Sequence, residues 1–118
     1  MTIRPLFAAL AVLALAGCAA DPAPNEQLRL TGQALEQARA VGASADETAE
    51  FKQAESKLAQ AQAEMTEQSF KDARILAEQA ELDARLAEAR VLTQKSQEQL
   101  NVLNTRIARL RKQLAEAQ

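Results

Sequence analysis

The stretch FKDARILAEQAELDARLAEARVLTQKSQEQLNVLNTRIARLRKQLAEAQ, Phe70 to Gln118, contains neither Gly nor Pro. Nothing in it stops a helix, so it predicts a single α-helix of about 48 residues, about 70 Å long at 1.5 Å per residue. Two apolar seams of unequal reach run along this helix. Phe70, Ala73, Ala77, Ala80, Ala84, Ala87 and Val91 repeat in strict 3,4 spacing, after which the same face turns polar at Gln94, Glu98 and Asn101. The other seam runs through Ile75, Leu82, Leu86 and Ala89, weakens at Thr93 and Ser96, then strengthens through Leu100, Leu103, Ile107, Leu110 and Leu114. At 100° per residue the two lie roughly 150° apart. The expected result is a helix whose first half is sandwiched between neighbours. Its second half carries a leucine seam that the rest of the chain is too short to cover.

Upstream, Ser69 with Asp72 marks a helix start, and Phe70 opens a seam out of phase with Met65, which favours a turn at Gln68-Ser69 over continuous helix. A second helix precedes it, with Phe51, Ala54, Leu58, Ala61 and Met65 in 3,4 spacing. Gly42 supplies a turn signal, and Ser44 with Glu47 three residues later fits a capping box at that helix's start. A first helix extends from Asn25, a candidate N-cap, to about Val41, with a weaker stripe of Leu28, Leu35 and Ala38 flanked by Leu30, Ala34 and Val41. Alanines allow close backbone approach, so the Ala seam is expected to pack on these two helices. The fold class expected is all-α: an Ala-rich antiparallel helical hairpin or three-helix bundle with a long C-terminal coiled-coil-like helix.

Composition agrees with that class and closes off others. Of 118 residues, 27 are Ala and 13 Gln, with three Phe, one Cys and no Trp, Tyr or His. Without His there is no imidazole base and no Ser-His-Asp triad, and acid pairs such as Glu78 with Glu81 or Asp83 fall on a helix flank with no pocket to tune them. An enzyme is not expected, nor a metal site, nor any cofactor beyond a covalent lipid. Met65, at a seam position, reads as packing. Charge is divided along the chain. Asp21 to Arg90 holds 14 acids and eight bases, whereas Val91 to Gln118 holds two acids and five bases. Arg106, Arg109, Arg111 and Lys112 form a basic flank. Either it meets an acidic partner such as the cell wall, or it solvates the leucine seam and complements the carboxyl end of the helix. No aromatic residue accompanies these bases, so nucleic acid is not expected.

The amino terminus reads as targeting. Arg4 precedes an apolar run, Leu6 to Leu15, which is too short for the roughly 20 residues of a membrane span. Leu15-Ala16-Gly17-Cys18 resembles a bacterial lipoprotein cleavage box, which implies that residues 1–17 are a signal peptide and that Cys18 becomes the acylated first residue. A plain signal peptide, or a leader in which Cys18 is incidental, are the other readings. A single thiol has no internal disulfide partner, which fits a lipidated Cys18. By the same resemblance, Ala19 in place of an Asp after the acylated Cys implies the inner leaflet of a Gram-negative outer membrane, facing the periplasm. Ala19 to Asn25, with Pro22 and Pro24, reads as an extended tether.

The segment Ala49 to Arg90, AEFKQAESKLAQAQAEMTEQSFKDARILAEQAELDARLAEAR, resembles the DUF4398 family of helical domains found mainly in Gram-negative lipoproteins. Phe51, Ala54, Lys57, Leu58, Ala61, Phe70, Ala73, Leu76, Ala77, Gln79, Ala80, Asp83, Ala84, Leu86 and Ala87 carry the likeness. The family often has Gly before the second aromatic, where this chain has Gln68-Ser69. Many members continue into an OmpA-like peptidoglycan-binding domain, which this chain lacks. It also resembles the major murein lipoproteins in pairing a cleavage box with heptads, yet it ends in Gln118 rather than Lys, so covalent wall attachment by that route is not expected.

The chain is thus expected to divide into signal peptide 1–17, lipidated Cys and tether 18–25, a DUF4398-like helical domain 26–91 and a helical extension 92–118. The function expected is a structural or adaptor role at the outer membrane through the seam Leu100, Leu103, Ile107, Leu110 and Leu114, by self-association or against a helical envelope protein. The alternative is an accessory subunit of an envelope transport or assembly machine. Non-covalent contact with the cell wall stays open, and no small-molecule substrate is expected.

Overall fold

The computed structural model describes residues 21–117. It contains helices α1 (Asn25–Ala40), α2 (Ala49–Thr66) and α3 (Phe70–Glu116), and no strand among the described residues. Residues 15–18, the proposed cleavage box and lipidation site, lie outside the described residues, as do residues 19 and 20 of the tether.

Helix α1 starts one residue earlier than its sequence suggests. Pro24 occupies the N-cap position and Asn25 is already helical, with no side-chain cap. The amide of Leu28 donates to the Pro24 carbonyl oxygen (3.0 Å), closing the first turn without help from Asn25. Glu26 in the first turn and Arg39 in the last complement the helix dipole. The helix ends where Gly42 takes φ +105°, a conformation that an L side chain adopts only under strain. The Gly42 amide bonds to the Arg39 oxygen and the Ala43 amide to the Ala38 oxygen, both at 2.9 Å, which makes a Schellman ending with buried Ala43 as its apolar contact.

The expected capping box at Ser44 and Glu47 does not form. Residues 44–47 are taken up in their own turn, in which the Thr48 amide donates to the Ser44 carbonyl oxygen at 2.8 Å. Helix α2 starts at Ala49 after an extended Thr48, again without a side-chain cap. Its far end is a second Schellman motif, with the Ser69 amide on the Glu64 oxygen (2.9 Å) and the Gln68 amide on the Met65 oxygen (3.2 Å). Gln68 fills the left-handed position with φ 62°. The turn between α2 and α3 is therefore sharp even without glycine. Ser69 does hold the N-cap position of α3, although its hydroxyl caps nothing.

The core follows from the alanine seam. Ala73, Ala77, Ala80, Ala84 and Ala87 of α3 are completely buried. Helices α1 and α2 both lie on this face, α2 antiparallel to α3 and α1 parallel to it. Lys57 pairs with Asp83 at 2.6 Å and Glu50 with Arg90 at 2.7 Å along the α2–α3 hairpin. Gln27 reaches Glu81, and the Lys95 ammonium donates to the Val41 carbonyl oxygen at 2.6 Å, marking the two ends of the α1–α3 contact. The largest apolar anchor is Phe51, buried among Ala34, Leu35, Ala38, Ala54, Ala84 and Ala87. The Arg39 guanidinium lies 5.4 Å from its ring centroid and bonds Glu55 at 3.1 Å, tying α1 to α2.

One sequence expectation fails. The first half of α3 is covered on its alanine face only, since Ile75, Leu82 and Leu86 keep 43%, 67% and 45% of their surface exposed. Both short helices fit side by side on the alanine face because its methyl groups let them approach closely, and among the described residues none covers the opposite face.

Candidate functional site

Beyond Val91 the neighbouring helices end and α3 continues alone. Every residue from 92 to 117 is exposed. Apart from the Lys95 bond to Val41, this segment holds helical geometry over about 37 Å with no tertiary hydrogen bond or ion pair, which its lack of Gly, Pro and consecutive β-branched residues permits. Local contacts assist it. Gln94 donates to Glu98 (3.2 Å), the Thr105 hydroxyl to the Asn101 carbonyl oxygen (2.9 Å), and Lys112 pairs with Glu116 (3.7 Å).

The five seam residues Leu100, Leu103, Ile107, Leu110 and Leu114 stand in one stripe with 45% to 68% of their surface exposed. Arg106 and Arg111 border the stripe on opposite sides, and Arg109 and Lys112 lie farther round the helix. Among the described residues, no acid lies within ion-pair distance of Arg106, Arg109 or Arg111. The stripe does not begin at Leu100. Ile75, Gln79, Leu82, Leu86, Ala89, Thr93 and Ser96 continue the same 3,4 spacing and are exposed as well. An open, mostly apolar face therefore runs nearly the whole length of α3, on the side away from α1 and α2.

This is chemistry of association. A 3,4 stripe of large apolar residues with charged borders accepts a second helix, whose side chains insert between its own. Elsewhere the perturbed carboxylates serve the fold. Gln27 donates to Glu81 at 2.7 Å and Arg85 donates to its other oxygen, so the Glu81 carboxyl is held below its ordinary value, first by Gln27 and then by Arg85. Glu26 is lowered by the Arg29 guanidinium bonded to it.

Reading the sequence by apolar spacing passes over two buried polar residues. Thr31 is fully buried and Thr48 nearly so. Thr31 falls in phase with Ala34, Leu35 and Ala38, so its spacing was a usable signal, and its hydroxyl is satisfied at the α1–α3 contact.

No helix among the described residues is long and apolar enough to cross a membrane. No curated protein matches the chain. Residues 26–103 match DUF4398, a domain of unknown function, and this segment runs past the end of the bundle into the exposed part of α3. A DUF4398 family protein from Pseudomonas aeruginosa PAO1, known from its crystal structure, is 64% identical to this chain, with a TM-score of 0.78. The similarity covers 82% of this chain and all of that one. With the family segment, the shared fold and that identity in agreement, this chain belongs to the DUF4398 family.

Proposed function

We propose that this protein is a non-catalytic outer-membrane lipoprotein, anchored through acylated Cys18 and facing the periplasm, whose helical domain serves as a structural or adaptor module. The observation that carries the reading is the exposed leucine seam from Leu100 to Leu114, which outlasts the intramolecular bundle. Exposed apolar stripes of this length are an association surface or a liability, and the regular 3,4 spacing favours association. Leu15-Ala16-Gly17-Cys18 supports the anchor. Two or three acyl chains hold a protein stably at a bilayer, each buried methylene contributing about 0.8 kcal/mol.

Palmitate labelling in cells should mark the wild type and leave Cys18→Ala unlabelled; equal labelling of both rejects the anchor. Leu103→Asp with Leu110→Asp should remove the complex that the wild type forms in a mild detergent extract. A complex of unchanged size in that variant rejects the seam as the working surface. The alternative, an accessory subunit of an envelope transport or assembly machine, is supported by the same arm being a lone, uninterrupted helix suited to docking against a helical hairpin. A foreign helical protein in the complex favours it.

A further inference from the structure

The open face of α3 extends along the bundle as well as the arm, and its two halves differ in both apolar content and charge. We propose that this face pairs with the same face of a second copy of the chain, antiparallel, with each distal arm lying on the bundle half of the other. The inference deepens the adaptor reading above and rests on it for the seam as the working surface.

Heptad positions follow from the spacing, with Gln79, Leu86, Thr93, Leu100, Ile107 and Leu114 at a and Ile75, Leu82, Ala89, Ser96, Leu103 and Leu110 at d. In an antiparallel pair, a positions of one helix face d positions of the other. One register places Ile75 against Leu114 of the second copy, Gln79 against Leu110, Leu82 against Ile107, Leu86 against Leu103 and Ala89 against Leu100. Thr93 then meets Ser96 at the two-fold axis, so the weak part of one stripe meets the weak part of the other. The three large residues left bare on the bundle, Ile75, Leu82 and Leu86, each gain a large apolar partner. Sliding by one heptad in one direction leaves Ile75 uncovered and sets both hydroxyls against leucines; sliding in the other sets Leu110 and Leu114 against Asp72 and Gln68. The paired stretch spans about 60 Å, nearly six heptads, well above the three or four that define a coiled coil.

Charge chooses the same direction. Antiparallel pairing lays the arm, with five bases and two acids, on a bundle with 14 acids and eight bases. Parallel pairing sets like against like over the full length. It also faces Glu78 with Asp83, Arg85 with Arg90 and Arg106 with Arg111 at every charged g–e contact, all of them repulsive. In the antiparallel register Asp83 meets Arg111 of the second copy. The single like pair, Arg85 with Arg106, involves a guanidinium already bonded twice to Glu81. Symmetry closes the interface, so pairing stops at two copies. Arg74 donates to the Pro22 carbonyl oxygen, so in this pair the two Pro22 residues lie about 60 Å apart, at opposite ends.

The test uses the soluble fragment Ala19–Gln118, which keeps every residue of the core and has no native cysteine. Leu82→Cys and Ile107→Cys variants are mixed and oxidised, beside each variant alone, and the parent fragment is weighed by light scattering. The expected result is a dimeric parent and a crosslink at least tenfold more abundant in the mixture than in Ile107→Cys alone. Predominant Ile107-to-Ile107 disulfide signifies a parallel pair and overturns the proposal. A parent that stays monomeric at millimolar concentration overturns it too. If such a monomer is nevertheless crosslinked in cells from position 107 to another protein, pairing fails while the adaptor reading survives; absence of any crosslink rejects both.

Discussion

The Thr31 hydroxyl lies 2.9 Å from the backbone carbonyl oxygen of Ala77, across the contact between α1 and α3, and equally close to the Gln27 carbonyl oxygen one turn back on its own helix. A hydroxyl has one proton, so it serves the two acceptors in turn or shares it between them. Such proximity to another helix's backbone is possible because Ala77 presents only a methyl group there. Thr31→Val keeps the shape and removes the donor, and should lower unfolding free energy by about 1 kcal/mol in urea titration. Thr31→Leu adds volume where the helices touch and should cost more, about 1 to 3 kcal/mol. Equal stability of wild type and Thr31→Val would show that the contact contributes nothing.

Gln68 ends α2 in the left-handed region, at φ 62°. The position demands a conformation and little else, since the side chain is exposed. Gln68→Gly should therefore stabilise the chain by about 1 kcal/mol, measured by chemical denaturation. Gln68→Val, β-branched, should destabilise it. The first turn gives the complementary case: Gly42→Ala, at φ +105°, should lose stability because glycine there is already the favoured residue.

Glu81 couples α1 to α3 through Gln27, and its carboxyl lies below the ordinary 4.5. Because the folded value is depressed, the charged form stabilises the fold above about pH 4.5. That contribution fades as pH falls through the lowered folded value. Wild type should thus exceed Glu81→Gln in stability at pH 7, with the gap narrowing below pH 4.5. A gap that stays constant down to pH 2 would mean that the carboxylate charge is not involved.

The packed core and the distal arm occupy separate parts of the chain, and stability measurements should divide accordingly. Phe51, 2% exposed, fills the widest part of the core, so Phe51→Ala should cost about 3 to 5 kcal/mol. Leu110→Asp, in the unsupported arm, should change unfolding free energy by no more than about 0.5 kcal/mol when the chain is dilute enough to be monomeric. A large loss from Leu110→Asp under those conditions would place the arm inside the folding unit.

Much of this architecture was legible in the residues themselves. The unbroken 3,4 spacing from Ala73 to Ala87 located the buried face of α3, because an alanine stripe with no other purpose has a close neighbour. The phase change between Met65 and Phe70 located the second turn. Three features escaped for physical reasons. The helix starts are set by backbone turns, with the Thr48 amide on the Ser44 oxygen, and capping side chains that look right in sequence are left unused. Thr31 escaped because a hydroxyl is counted as polar although its carbonyl partners are supplied by the helices around it. The bare face of Ile75, Leu82 and Leu86 escaped because periodicity shows that a face is apolar without showing whether the chain has anything left to cover it. For the candidate surface, spacing traced the stripe from Ile75 to Leu114, and only the packing of α1 and α2 showed that its proximal half is left open as well.

The central claim is that the α3 seam is where this protein meets its partner, and crosslinking in living cells tests it most directly. A photoreactive residue at Ile107, within the stripe, is compared with one at Lys112, on the far side of the same helix. The account predicts a discrete adduct from position 107 and little from position 112. Equal labelling at both positions, or none at 107, would contradict it.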